Sequence, residues 1–121
     1  MQVLIVDSSP ELGQIWKRHL ERQGMEVSLV QDQDEAIAAL QHSAAELIVL
    51  DLVLEEGSAF AVADYANYRH PETRVIFTTN SSFFSDGSIF QHSANACAFV
   101  PKQVDPDDLS AMVAHYGKAA S

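Results

Sequence analysis

Two acidic residues, a threonine and a lysine each stand at or just after the end of a short apolar run: Asp7, Asp51, Thr79 and Lys102. Carboxylate oxygens are the ligands that Mg²⁺ prefers, and a carboxylate can also accept a phosphoryl group as a nucleophile. A lysine and a hydroxyl group can neutralise and hydrogen-bond the phosphoryl oxygens. If the fold brings these groups together, they predict phosphoryl chemistry centred on Asp51.

Short apolar runs alternate with helical patterns along the chain. A short, unbroken apolar run that ends at a turn signal is typical of a strand buried on both faces. The predicted strands are Val3–Val6, Met25–Val30, Leu47–Leu50, Arg74–Thr79 and Cys97–Val100. Because each strand is followed by a helical pattern and short loops, we expect a parallel sheet with helices on both faces. Ligands bind such sheets at the carboxyl ends of the strands, where Asp7, Asp51 and Thr79 would meet.

The helix predictions rest on capping residues and on apolar spacing. Ser9 or Ser8 is the candidate cap of the first helix, and Asp32 or Asp34 is that of the second. Ser58 is the candidate for the third helix and Asp105 for the last. The predicted apolar face of the first helix is Leu12, Ile15, Trp16, His19 and Leu20, and that of the third is Phe60, Ala63, Ala66 and Asn67. The segment Ser81–Ser93 is predicted as a fourth helix, although Gly87 and several serines specify it poorly.

The composition fits a single domain over residues 1–121 and excludes several classes of protein. Hydrophobic residues make up 47% of the chain, which is ordinary for a globular protein and argues against disorder. No apolar run approaches the roughly 20 residues that cross a bilayer, and the N-terminus lacks the basic segment of a secretory signal. The single cysteine, Cys97, fits a reducing cytoplasm. The formal charge of -10 argues against nucleic-acid binding and suits metal cations or basic partner surfaces.

With these residues in place, the chain resembles a response-regulator receiver domain of two-component signalling, of the stand-alone chemotaxis type. The resemblance covers essentially the whole chain. It rests on four motifs in order at family-like spacing, Val6-Asp7, Leu50-Asp51-Leu52, Phe77-Thr78-Thr79 and Val100-Pro101-Lys102. It implies a flavodoxin-like fold, a doubly wound (βα)5 three-layer α/β sandwich with strand order 2-1-3-4-5.

The resemblance also implies a role for each site residue. Asp51 would accept a phosphoryl group from a histidine kinase or a phosphotransfer protein, so the chain would be a phosphoprotein and not an enzyme. The Mg²⁺ ligands would be Asp7, Asp51 and the backbone carbonyl of Val53, while Thr79 and Lys102 would bind the phosphoryl oxygens and Phe99 would be the switch aromatic. A population shift would pass the signal to a downstream protein through the fourth helix, the fifth strand and the fifth helix. A homodimer is left open.

Four residues depart from the family pattern. Receivers usually have two adjacent acids after the first strand, whereas the second position here is Ser8. Removing a unit charge about 4 Å from a cation costs about 4 kcal/mol of Coulomb energy at an effective dielectric constant near 20, so we expect weak Mg²⁺ binding. Gln103 stands where a proline usually follows the lysine, and we expect a trans peptide bond there. Asn80 replaces a small residue, and Glu55 takes a position often held by proline.

These departures leave a second function open, a phosphorylation-independent pseudo-receiver that acts as a protein-binding or dimerisation module. Ser8, Asn80 and Gln103 favour it, whereas the retained acceptor, hydroxyl and lysine favour phosphorylation. Enzyme classes fit poorly. A haloacid-dehalogenase-type phosphatase needs an acid where Val53 stands, and a flavodoxin-type cofactor site needs a glycine-rich loop after the first strand. The five histidines show no metal-ligand spacing, and the Phe83-Phe84 pair is either core or an exposed partner-binding patch.

Overall fold

A computed structural model describes residues 1–79 and 95–119 of the chain. In these residues, strands and helices alternate as β1 (Gln2–Val6), α1 (Pro10–Arg22), β2 (Glu26–Val30), α2 (Gln33–His42), β3 (Leu47–Asp51), α3 (Ala59–Arg69), β4 (Arg74–Thr79), β5 (Ala96–Pro101) and α4 (Pro106–Ala119). The predicted helix over Ser81–Ser93, with its Phe83-Phe84 pair, and the departure at Asn80 lie outside the described residues. The label α4 therefore denotes the predicted last helix.

The strands form one parallel sheet in the order β2-β1-β3-β4-β5, which confirms the predicted flavodoxin-like topology. The central strand β3 pairs with β1 on one side and with β4 on the other, and all of its residues are buried. Because the strands are parallel, the carboxyl ends of β1, β3, β4 and β5 lie along one edge. The strand order reverses between β1 and β3, and a crevice opens at such a switch point.

The side chains of the sheet alternate between two apolar layers. One layer lies between the sheet and the helices α2 and α3, and its strand residues include Leu4, Val6, Ile48, Leu50, Val75 and Phe77. The other lies between the sheet and the helices α1 and α4, and its strand residues include Val3, Ile5, Leu47, Val49, Ile76 and Val100. Burial on both faces explains why the strand sequences are continuous apolar runs without polar alternation.

Side-chain caps fix where the helices begin. The structure selects Ser9 over Ser8 for α1 and Asp32 over Asp34 for α2, because the hydroxyl of Ser9 accepts the amide of Leu12 at 3.4 Å and the carboxylate of Asp32 accepts the amide of Glu35 at 2.8 Å. Ser58 caps α3 as predicted, and Asp105 accepts the amide of Asp107 at 2.8 Å in the first turn of α4. Each cap satisfies an amide that has no partner within the helix.

The predicted apolar faces were wrong at Ile15 and Asn67. Ile15 is 52% exposed, because α1 turns the stripe Gly13, Trp16 and Leu20 toward the sheet. A Cβ atom at Gly13 would lie 2.6 Å from the side chain of Leu29, so the missing side chain lets α1 approach β2 on that face. Asn67 is exposed because α3 buries the small stripe Ala59, Val62, Ala63 and Ala66 instead. Within the described residues, no helix is both long and apolar enough to cross a membrane.

Candidate functional site

Three charged side chains meet where the order of the strands reverses. Asp7 follows β1, Asp51 ends β3 and Lys102 follows β5. The Lys102 Nζ lies 2.7 Å from Asp51 Oδ2 and 3.5 Å from Asp7 Oδ1. Asp7 is fully buried and Asp51 is 2% exposed, while 15% of the Lys102 side chain reaches solvent. The structure therefore brings two buried carboxylates and one ammonium group into a single cluster.

Asp51 is held at both of its carboxylate oxygens. Oδ2 accepts the ammonium of Lys102 at 2.7 Å, and Oδ1 accepts the backbone amide of Val53 at 3.1 Å. The amide of Leu52 bonds the carbonyl of Thr78 at 2.8 Å, so the chain leaves the strand in one fixed direction. Hydrogen bonds to an ionised carboxylate are stronger than those between neutral groups. The Asp51 carboxylate is thus oriented before any ligand arrives.

Asp7 is only partly satisfied in its buried position. Its Oδ1 accepts the amide of Ser9 at 2.8 Å, whereas its Oδ2 has no hydrogen-bond partner among the described residues. Burial raises the pKa of the Asp7 carboxyl, and the negative charge of Asp51 adds to the rise. The Ser9 amide and the positive charge of Lys102 lower this pKa without cancelling the effect of burial. Additional positive charge would therefore be favourable at Asp7.

Lys102 is positioned by an extension of the sheet. Its amide donates to the carbonyl of Thr79 at 2.9 Å, one residue beyond the register pair Thr79 and Pro101. The amide of Val104 then bonds the carbonyl of Pro101 at 3.0 Å and turns the chain toward α4. No peptide bond in the described residues is cis, so Lys102 and Gln103 are joined by a trans bond, as predicted. The lysine reaches both carboxylates from this backbone.

Two neighbouring threonines end β4, and the sequence drew attention to only one of them. Thr79 is buried at the strand end. By strand alternation it lies on the same face of the sheet as Phe77, the face against which Phe99 packs. Thr78 pairs in register with Asp51, and its buried hydroxyl has no hydrogen-bond partner among the described residues. Side chains at paired positions of neighbouring strands project to the same face, so Thr78 stands beside the acidic cluster. No signal in the sequence distinguishes the two threonines, because the register between β3 and β4 decides which of them faces Asp51.

Ser8 does not compensate for the missing acid. Its hydroxyl accepts the backbone amide of Glu55 at 2.9 Å and so connects the loop after β1 to the loop after β3. Val53, whose carbonyl the resemblance assigns to the metal, lies in that second loop and is 67% exposed. Phe99 lies in β5, half-buried and paired in register with Phe77.

The donor set fits a divalent cation held by few protein ligands. Asp7 and Asp51 provide hard carboxylate oxygens, one of them buried without a hydrogen bond. In the part of the chain that the structure describes, no three histidine, cysteine, aspartate or glutamate side chains are grouped so that they could hold a metal ion. Mg²⁺ commonly retains several waters and binds through one or two carboxylates, so two are compatible with a weak site.

Comparisons with known proteins agree on one family. A family model described as the response regulator receiver domain matches residues 3–114. The chain is 29% identical over 113 residues to the response regulator protein PilR of Pseudomonas aeruginosa, covering 93% of this chain and 25% of PilR. The chain therefore spans a quarter of the length of that curated relative.

Solved structures of receiver domains have the same fold as this chain. A signal receiver domain from Vibrio parahaemolyticus is 29% identical with a TM-score of 0.87, covering 98% of this chain and 91% of that one. A CheY-like receiver domain from Methanospirillum hungatei JF-1 is 23% identical with a TM-score of 0.89, covering 98% and 94%. The second likeness shows the fold alone.

Proposed function

The chain belongs to the response regulator receiver domain family of two-component signalling, and from that premise we propose that Asp51 accepts a phosphoryl group from a phosphohistidine. The observation that supports this most directly is the contact of 2.7 Å between Asp51 Oδ2 and the Lys102 ammonium, next to the buried Asp7. A lysine in this place orients the acceptor and offers a positive charge to the incoming phosphoryl oxygens.

The proposed transfer is an in-line displacement at phosphorus. A carboxylate oxygen of Asp51 forms a bond to phosphorus while the bond from phosphorus to the donor's histidine nitrogen breaks. The nitrogen keeps the electron pair and can then be protonated, and Asp51 becomes an acyl phosphate. The Val53 amide and the Lys102 ammonium already hold the two oxygens of Asp51, so little reorganisation precedes attack. This chemistry makes the chain a phosphoprotein whose only reactions are its own phosphorylation and dephosphorylation.

We assign the cation of the family, Mg²⁺, to Asp7, Asp51 and the backbone carbonyl of Val53. When bound, the cation supplies positive charge to the phosphoryl oxygens. Asp7 has a buried oxygen without a hydrogen bond, which supports its assignment. Because Ser8 brings no carboxylate, we propose weak binding.

The proposed partners are a histidine kinase or a phosphotransfer protein as donor and a downstream protein as receiver of the signal. Thr79 and Phe99 lie toward the β5 edge, which supports an output through β5, α4 and the segment between β4 and β5. A homodimer is one form that this output can take. We place the reaction in the cytoplasm, without nucleic acid or membrane.

A pseudo-receiver is the second candidate, and one observation favours it. The hydroxyl of Ser8 accepts the Glu55 amide and adds no carboxylate to the cluster, so the pocket offers a cation one charged ligand fewer than the family pattern does. A chain fixed in this arrangement would bind partners through its surface and would not respond to a phosphodonor.

Amide NMR spectra separate the two candidates. The chain is titrated with Mg²⁺ and then with acetyl phosphate or beryllofluoride, beside the variant Asp51→Asn. Phosphorylation predicts shifts at residues near Asp51, Thr79 and Phe99 that are absent in the variant. If the spectra of the unaltered chain do not change at any accessible Mg²⁺ concentration, the phosphoryl-acceptor function is wrong and the pseudo-receiver stands.

A further inference from the structure

The loop after β3 brings an acidic residue against the position where the family's second acid is missing. The amide of Glu55 donates to the Ser8 hydroxyl at 2.9 Å, so the backbone of Glu55 lies directly beside Ser8. These two residues line one surface pocket of about 190 Å³ together with Gln31, Asp32 and Glu56. A glutamate side chain is long enough to bring its carboxylate back over its own amide. The loop therefore has an acid within reach of the place that Ser8 leaves uncharged.

Among the acids around this pocket, Glu55 is the one suited to approach the cluster. Asp32 caps α2 through the amide of Glu35. The backbone carbonyl of Glu56 accepts the amide of Gln33 at 3.4 Å and ties this residue to the start of α2, whereas the backbone of Glu55 is tied to Ser8. The carboxylate of Glu55 is exposed, and no hydrogen bond or ion pair within the described ranges engages it. It can change rotamer without breaking an interaction with any of the described residues.

The buried Asp7 indicates what a carboxylate at this place would help to bind. Asp7, next to Ser8 in the chain, is fully buried and has one carboxylate oxygen without a hydrogen-bond partner among the described residues. A buried oxygen of this kind calls for a cation or a donor. Two carboxylates already converge there, and Mg²⁺ binds through carboxylates and through the waters it retains.

We propose that the Glu55 carboxylate supplies the third negative charge for a divalent cation at Asp7 and Asp51, in place of the acid that Ser8 lacks. The inference rests on the proposed function, because it concerns the same cation. The acid is displaced from the loop after β1 to the loop after β3, and the hydrogen bond between Ser8 and Glu55 holds the two loops together. In this arrangement Ser8 positions the backbone of Glu55, and the carboxylate of Glu55 faces the cation.

Calorimetric titration with MgCl₂ at constant ionic strength tests the proposal on the whole chain. Glu55→Gln keeps the shape and the backbone amide and is expected to weaken Mg²⁺ binding about tenfold, the lower end of losses seen for groups that support a metal site. Glu56→Gln removes the same charge from the next exposed residue and is the matched control. It is expected to change the dissociation constant by no more than about twofold, since solvent and salt screen its charge.

The variant Ser8→Asp gives a second, independent comparison. It restores an acid at the position after Asp7, so Mg²⁺ binding should tighten and Glu55→Gln should then have no larger effect than Glu56→Gln. Amide shifts of Ser8 and Glu55 during the Mg²⁺ titration provide a readout that does not depend on phosphorylation.

The outcomes are distinguishable. If the unaltered chain binds Mg²⁺ and Glu55→Gln matches Glu56→Gln, the role of Glu55 is wrong and the proposed function is unaffected. If the unaltered chain binds no Mg²⁺ while Ser8→Asp does, both the assigned cation and this inference fail. A selective loss in Glu55→Gln that disappears in the Ser8→Asp background supports the proposal.

Discussion

Replacing Lys102 with methionine is expected to lower the free energy of unfolding by about 3–5 kcal/mol, the usual cost of removing one partner of a buried ion pair. Methionine keeps most of the apolar stem and removes the ammonium. That ammonium lies 2.7 Å from Asp51 Oδ2 and 3.5 Å from Asp7 Oδ1. At an effective dielectric constant near 20, these distances correspond to about 6 and about 5 kcal/mol of gross Coulomb attraction.

The net loss is smaller than the gross attraction for two reasons. Burying the lysine costs part of its hydration free energy, and that cost disappears in the variant. The two carboxylates left behind can also take up a proton, which relieves their repulsion. Both effects bring the expected change down to the range for a broken buried pair.

Urea denaturation at pH 7, followed by circular dichroism, measures the loss as a lower midpoint with an unchanged slope. Lys17→Met is the matched control, since Lys17 pairs with Glu21 at 3.2 Å on the surface of α1, where the side chains are 29% and 44% exposed. Such a pair contributes at most about 0.5 kcal/mol. In an Asp51→Asn background, Lys102→Met should cost clearly less, because one of the two carboxylates is already neutral.

If Lys102→Met destabilises the chain no more than Lys17→Met does, the buried ion pair does not stabilise the fold. If the loss is the same with Asp51 and with Asn at that position, the ion pair likewise contributes nothing. A changed slope in urea would point to an altered compactness of one state and would require a second probe of unfolding.

Three further changes test other parts of the structure. Burial raises the pKa of Asp7 above its ordinary 3.8, so the folded chain binds this proton more tightly than the unfolded chain does. The protonated Asp7 therefore stabilises the fold at low pH, and this stabilisation is lost as the pH rises from 3.8 through the raised pKa. The unfolding free energy of Asp7→Asn relative to the unaltered chain should therefore rise from pH 4 to pH 7 in urea titrations, and the opposite trend would contradict it. Gly57→Ala should cost about 2–4 kcal/mol, because φ is +93° and a Cβ would lie 2.4 Å from a side chain of α2. Gly24→Ala, with φ +87° and open space, should cost only about 1–2 kcal/mol, and equal losses would exclude the steric part. Ile15→Ala should change stability by no more than about 0.5 kcal/mol, whereas Leu20→Ala, at 1% exposure, should cost about 2–5 kcal/mol in the same assay.

The sheet and its strand ends were predictable because they depend on local pattern and on general rules of chain topology. Apolar runs marked the strands, and the alternation with helices required a parallel sheet. Once the strands are parallel, the residues at their carboxyl ends must lie along one edge. The sequence therefore predicts that Asp7, Asp51 and Lys102 lie together. The order 2-1-3-4-5 itself came from the resemblance.

The details that the sequence did not reveal depend on contacts between distant segments. The bond between Ser8 and Glu55 joins residues 47 positions apart, and no local signal specifies it. The rotation of α1 that exposes Ile15 follows from the absence of a side chain at Gly13, where β2 approaches. Capping alternatives such as Ser8 and Ser9 have nearly equal local preference, so the tertiary contact of Ser8 with the other loop decides between them.

The charges of the site connect these features. In the described cluster two carboxylates face one ammonium, which leaves one excess negative charge close to Asp7, where burial already raises the pKa. If Asp51 is the acceptor, its phosphoryl group carries about −1.5 to −2 in place of −1, and a single lysine cannot neutralise it together with Asp7. The smallest rearrangement that would neutralise the phosphoryl charge moves Lys102 toward the phosphoryl oxygens and away from Asp7. With Mg²⁺ at the proposed site, the cation would then compensate Asp7, and the proposed contribution of Glu55 would matter most after phosphorylation. Because Ser8 provides no second acid in the loop after β1, we expect the loop after β3 to couple the cation to the phosphorylated state.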